Sequence, residues 1–134
     1  METTTRHAIE RFVRCKLGCQ CPAAVFRHIG VENCPQEFGN WPQGRLISVG
    51  KRLLILVLRS DDSAAMHRLL GSLLEEGRRL REARGFNRFR LVIATSCPAV
   101  MEPPLRERFD RMEGKDERMH LHVIAALQLP ALLD

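Results

Sequence analysis

The sequence predicts an α/β fold built on a small mixed sheet, of order β-β-α-β-α-β, with a cysteine-rich helical segment ahead of it. Three observations carry this. The run "RLISVGKRLLILVLRS" breaks at a glycine into two apolar stretches, as a hairpin does. Two further β-branched and leucine-rich runs, "RFRLVIATS" and "HLHVIAAL", alternate with segments of helical periodicity. The 134 residues are 45% hydrophobic and 28% charged, which suits one globular domain. We therefore read residues 1–134 as a single domain, with residues 1–44 as the Cys-rich N-terminal segment and residues 45–134 as the α/β core.

Taken in order, residues 5–16 place Ala8, Ile9, Phe12 and Val13 on one helical stripe, and Gly18 suits the stop. Pro22 fits the first turn of a second helix, "PAAVFRHI", with Cys21 at its N-cap and Gly30 as its terminator. Residues 31–44 contain Pro35, Pro42, Gly39, Gly44, Asn33 and Asn40 and read as a loop.

The hairpin is expected to turn at Gly50-Lys51 in type II′ form. Its second strand, 53–58, is apolar on both faces and so belongs at a sheet centre covered on both sides. A long helix follows, with Met66, Leu69, Leu70, Leu73, Leu74 and Leu80 at helical spacing, an acidic start and Gly85 as stop. "PPLRERFDRME" is expected to be a helix burying Leu105, Phe109 and Met112, between strands at 89–95 and 121–126. Right-handed crossovers make the three later strands parallel.

In such sheets, sites form beyond the carboxyl ends of the parallel strands. Asp61, Asp62, Thr95, Ser96 and Cys97 therefore belong to one rim, where Asp61 and Asp62 are read as caps of the long helix. His120 and His122 alternate onto one face of the last strand, at the opposite rim, and are read as polar strand-edge residues rather than metal ligands.

Several chemistries are argued against by missing motifs. There is no G-x-x-x-x-G-K-[ST] and no G-x-G-x-x-G, so the βα turns lack glycines that cradle phosphates. Cys97 has no Gly-rich, Arg-bearing loop after it of the kind a cysteine phosphatase uses. The net charge of +5 comes from 18 Arg and 3 Lys against 16 acidic residues. The Arg-rich run "GRRLREARGFNRFR" is read as a solvated face whose charges complement a helix end, which argues against nucleic acid as the partner. No apolar run approaches the roughly 20 residues needed to cross a bilayer, and the first residues lack signal-peptide character. A cytoplasmic protein with no membrane partner is expected; a protein partner and self-association stay open.

The distinctive feature is "CKLGCQCP". Three of five cysteines fall within seven residues, and Cys34 follows. Four thiolates at Cys15, Cys19, Cys21 and Cys34, spaced C-x3-C-x-C-x12-C, could enclose Zn or hold an iron–sulfur cluster. That is the leading reading, and it makes the chain an accessory or electron-transfer protein. The second is thiol–disulfide exchange, with Cys21 attacking and Cys19 resolving. The third takes the thiols as small packing residues, leaving a basic scaffold for nucleic acid or a protein partner.

Overall fold

The computed structural model describes residues 3–130 and Leu133. Its centre is a five-stranded mixed sheet whose strands lie in chain order: β1 (Ile29–Asn33), β2 (Arg45–Val49), β3 (Leu53–Arg59), β4 (Arg88–Thr95) and β5 (Met119–Ala125). β2 runs antiparallel to both of its neighbours, β1 and β3, while β3, β4 and β5 are parallel. Three helices complete it: α1 (Thr3–Cys15), α2 (Ser63–Arg84) and α3 (Pro98–Arg111).

The expected hairpin and three parallel strands are present, and the sheet gains one strand, β1, where the sequence suggests the end of a helix at Ile29, its stop at Gly30 and a loop from residue 31. Ile29 and Val31 of β1 point to the side where Val49 and Ile47 oppose them. Between them Gly30 faces Ser48, and a Cβ there would stand 2.7 Å from the Ser48 hydroxyl. The glycine taken for a helix stop thus permits close strand approach. The segment before it is a 3₁₀ helix, Ala23–Arg27, not an α-helix, and Pro22 rather than Cys21 occupies its N-cap. The hairpin turn also differs. Val49 pairs with Leu53, so Gly50, Lys51 and Arg52 form a three-residue connection, with Gly50 at φ +59°.

α2 has the caps its sequence announces. The Asp62 carboxylate accepts from the Ala65 N–H at 2.9 Å. At the other end Gly85 is left-handed, and the N–H groups of Gly85 and Phe86 return to the carbonyls of Glu82 and Arg81. α3 begins five residues earlier than expected, with Pro98 at its first turn and Pro103 and Pro104 inside it. Pro103 and Pro104 have no N–H to donate to the carbonyls of Ala99 and Val100, which stand at exposed positions of the first turn, open to solvent.

Both crossovers, β3-α2-β4 and β4-α3-β5, run the same way across the sheet, so right-handedness puts both helices on one face. There Met66, Leu70, Leu73, Leu74, Met101, Leu105 and Phe109 pack on Leu54, Leu56, Leu58, Phe89, Leu91 and Ile93. The opposite face carries Ile47, Val49, Leu53, Ile55, Val57, Val92 and Ala94, and α1 covers it with Ile9, Phe12 and Val13. Phe26, Leu129 and Leu133 fill the rest.

Two contacts lock the α2 side. Gly77 lies against the ring of Phe89, so closely that a Cβ would come within 2.3 Å of it. Arg81, only 1% exposed, donates two bonds to Asp116, at 3.0 and 2.7 Å. This pairing, reinforced by the Arg118 N–H, holds the Asp116 carboxyl down at about 2.

Gly77→Ala should therefore destabilise the protein by about 1–3 kcal/mol through overpacking, against the roughly 1 kcal/mol that alanine gains in helix propensity. A denaturant midpoint that is unchanged or raised would contradict this packing. For Asp116, the folded carboxyl titrates below its ordinary 3.8, so the unfolded chain takes up the proton first as pH falls. Stability present above about pH 4 should be lost progressively toward pH 2. In Asp116→Asn the thermal midpoint should fall less steeply over that window than in the parent.

Candidate functional site

The five thiols do not gather. Cys19 and Cys21 are joined by a disulfide, with Cα atoms 5.6 Å apart, while Cys15, Cys34 and Cys97 are free. Cys19 is 8% exposed and belongs to the core on the α1 side; Cys21 is half-buried at its margin. Cys34 packs against the core on the other face of the sheet, beside Trp41 and Phe38. Cys15 is exposed at the end of α1. Among the described residues no group of three or more His, Cys, Asp or Glu side chains is arranged to hold a metal ion. The alternation that sends Cys34 to the far face is invisible in the spacing of the cysteines.

The bridge sits in a loop fixed by backbone contacts. α1 ends at Cys15, Gly18 turns the chain at φ +71°, and the Cys19 N–H donates to the Val13 carbonyl at 3.2 Å. Arg90 of β4 donates from Nη1 to the Leu17 carbonyl at 3.1 Å. Over the neighbouring 3₁₀ helix, the Arg14 guanidinium stacks 4.6 Å from the centre of the buried Phe26 ring. Within the loop, the Cys21 N–H points at Cys19 Sγ from 3.4 Å. A backbone donor is thus in place for negative charge on that sulfur.

The rim at the carboxyl ends of the parallel strands forms a cleft of about 400 Å³, lined by Gln43, Arg59, Asp61, Thr95, Ser96 and Ala126 among others. Asp62 alone caps α2. Asp61 instead spans the rim, accepting from the Thr95 hydroxyl at 2.9 Å and the Ser96 N–H at 2.8 Å. Those bonds push its carboxyl below the ordinary range. It is a fixed anion near neutrality, a brace between β3 and β4 rather than a proton acceptor. Cys97 caps α3 by position without a side-chain bond and lies 3.8 Å from Ser96 Oγ.

The part of the Arg-rich run that lies in α2 is largely neutralised by its own neighbours. Arg78 bonds Glu75 and Glu82, Arg79 bonds Glu75 and Glu76, and Arg84 reaches Glu32 on β1. No family model matches the chain, and no curated protein or solved structure gives a significant match. Among the described residues no helix is long and apolar enough to cross a membrane.

This arrangement has a direct chemical signature. Burial, and then the Glu37 charge, raise the Cys34 thiol above its ordinary value, which slows its reaction with alkylating agents. Under non-reducing conditions iodoacetamide should modify Cys15 and Cys97 readily, Cys34 slowly, and Cys19 and Cys21 not at all. Peptide mapping that found Cys97 alone reactive would instead point to a protected quartet of the other four.

Proposed function

We propose that this chain is a thiol–disulfide redox module in which Cys21 exchanges with the thiols of a partner and Cys19 closes the bridge. The observation that carries the reading is the Cys19–Cys21 pair itself, with one sulfur at the margin of the core and the other inside it. A ring this small is a weak staple, since closing three residues removes only about 1.6 kcal/mol of unfolded-chain entropy by the usual loop relation. In the cytoplasmic setting that we also propose, disulfides are characteristically catalytic or redox-sensing rather than structural.

The exchange balances as follows. A thiolate of a partner dithiol attacks the Sγ of Cys21, the more exposed of the two residues; the S–S bond breaks and Cys19 leaves as a thiolate, with the Cys21 N–H as its donor. The partner's second thiol then attacks its own sulfur in the mixed disulfide and releases Cys21. Two electrons pass to the pair, two thiol protons follow, and the partner becomes the disulfide. In the reverse direction Cys21 is the attacking thiolate and Cys19 resolves. A five-residue 3₁₀ helix supplies little dipole at Cys21, and the backbone donor in place, the Cys21 N–H, serves the Cys19 sulfur.

A Zn or iron–sulfur centre on Cys15, Cys19, Cys21 and Cys34 would need the bridge reduced and Cys34 drawn from one face of the sheet to the other. The test separates the two readings. Protein purified anaerobically should contain no stoichiometric metal and should gain two alkylatable thiols on reduction. Cys19→Ser and Cys21→Ser should each abolish that gain, and Cys97→Ser should not. Stoichiometric zinc or iron, lost in each single Ser variant at Cys15, Cys19, Cys21 and Cys34, would overturn the redox reading in favour of the metal.

A further inference from the structure

On the face of the sheet that bears the thiol loop, β4 and β5 carry a second polar cluster. Arg88 and Arg90 alternate onto this face of β4, and His120 and His122 onto the same face of the edge strand β5. Arg88 Nη1 lies 3.0 Å from His120 Nε2, and Arg90 Nη1 lies 2.8 Å from His122 Nε2. A guanidinium can only donate, so each imidazole is neutral and accepts through Nε2. Burial first, and the charges of Arg90 and Arg88 after it, hold His120 at about 4; burial, Arg90, His120 and then Arg106 do the same for His122.

Positive charge here is poorly balanced. Arg106 reaches round the edge from α3 to donate to the Leu121 carbonyl at 2.7 Å, and its charge also acts on His122. The nearby carboxylate is Asp116, which acts on His120 but is itself held by both bonds from Arg81. Neither Arg88 nor Arg90 has a carboxylate partner among the described residues; they donate to the Glu117 and Leu17 carbonyls and to the two imidazoles. Arg90 Nε is buried and donates to nothing, and no other buried side-chain nitrogen or oxygen among the described residues lacks a partner. Leaving a buried donor unmade is costly, more so on a charged group.

What this cluster lacks is an acceptor with negative charge. Two guanidinium forks side by side suit the several oxygens of a tetrahedral anion, which can take paired N–H donors from each. We propose that Arg88, Arg90, His120 and His122 form a binding site for a tetrahedral oxyanion, a phosphate or sulfate group. The anion draws the guanidinium donors away from the imidazoles. Each freed Nε2 then takes a proton from solvent and becomes a donor in its turn. Binding is thus coupled to proton uptake, and affinity rises as pH falls from 7 toward 5. This site stands independently of the redox reading.

The test is an NMR titration of the imidazole resonances of His120 and His122 with sodium phosphate and, separately, sodium sulfate, at ionic strength held constant with sodium chloride. Both histidines should shift saturably at millimolar anion, and their pKa values should rise well above about 4. Arg88→Gln, at a half-buried strand position, should weaken binding roughly tenfold or more, the weight of one charge-assisted hydrogen bond. Arg90→Gln should abolish the response, with a retained methyl spectrum showing that it folds. Saturation by phosphate alone, by sulfate alone or by both supports the site and tells which group fits. No saturable shift with either anion in the parent, or the same shift with chloride, overturns it; so does binding undiminished in Arg88→Gln.

Discussion

Burial of β3 on both faces is the constraint from which the rest of the structure follows. Leu53, Leu54, Ile55, Leu56, Val57 and Leu58 are each 2% exposed or less. Each such side chain contributes about 1.5–3 kcal/mol when removed from water, so leaving either face bare would forfeit a large part of the stability of a small domain. Both faces must be covered, and the chain has unequal means to do it. The right-handed crossovers commit α2 and α3 to one side. The other side is left to α1, the loop that follows it, a 3₁₀ helix, and Leu129 and Leu133.

That asymmetry explains where the unusual chemistry lies. The α2 and α3 side is closed by regular helices, with Gly77 against Phe89 and the Arg81–Asp116 pair as its fixed points. Beyond α1 itself, the other side is closed by short, irregular pieces, whose backbone groups must find partners outside any ladder or helix of their own. Arg90 serves the Leu17 carbonyl, and the Cys19 N–H uses the Val13 carbonyl. A disulfide spanning one residue and a pair of half-buried arginines are what irregular cover brings to the sheet.

Much of this was legible in the sequence where local rules and the fold agree. The apolar run of β3, the Asp62 and Gly85 caps of α2 and the periodicity of β4 and β5 each demand one local structure, and the structure has it. The α/β class and its three parallel strands follow from those alone. β1 was not legible because Gly30, which reads as a stop, is needed to admit Ser48 of the neighbouring strand. The start of α3 was hidden by Pro103 and Pro104, which solvent tolerates on the exposed side of the first turns. Asp61 looked like half of a doubled cap, since nothing local reveals that Thr95, 34 residues away, donates to it.

The thiol segment shows the same limit most sharply. Spacing put four cysteines near one another in sequence, but position on a sheet face depends on register, and register depends on partners elsewhere in the chain. Cys34 follows β1 directly, so the pairing of β1 with β2 decides its side, and it joins the core beneath α2. Cys19 is carried to the opposite side by α1. The histidines behave conversely. Their alternation was readable, but the arginines that help keep them uncharged come from β4, 32 residues earlier in each pair. One hydrogen bond, from Arg90 to the Leu17 carbonyl, joins the two features. The cation that lacks a carboxylate is therefore also a group that holds the loop bearing the bridge, by a carbonyl two residues from Cys19.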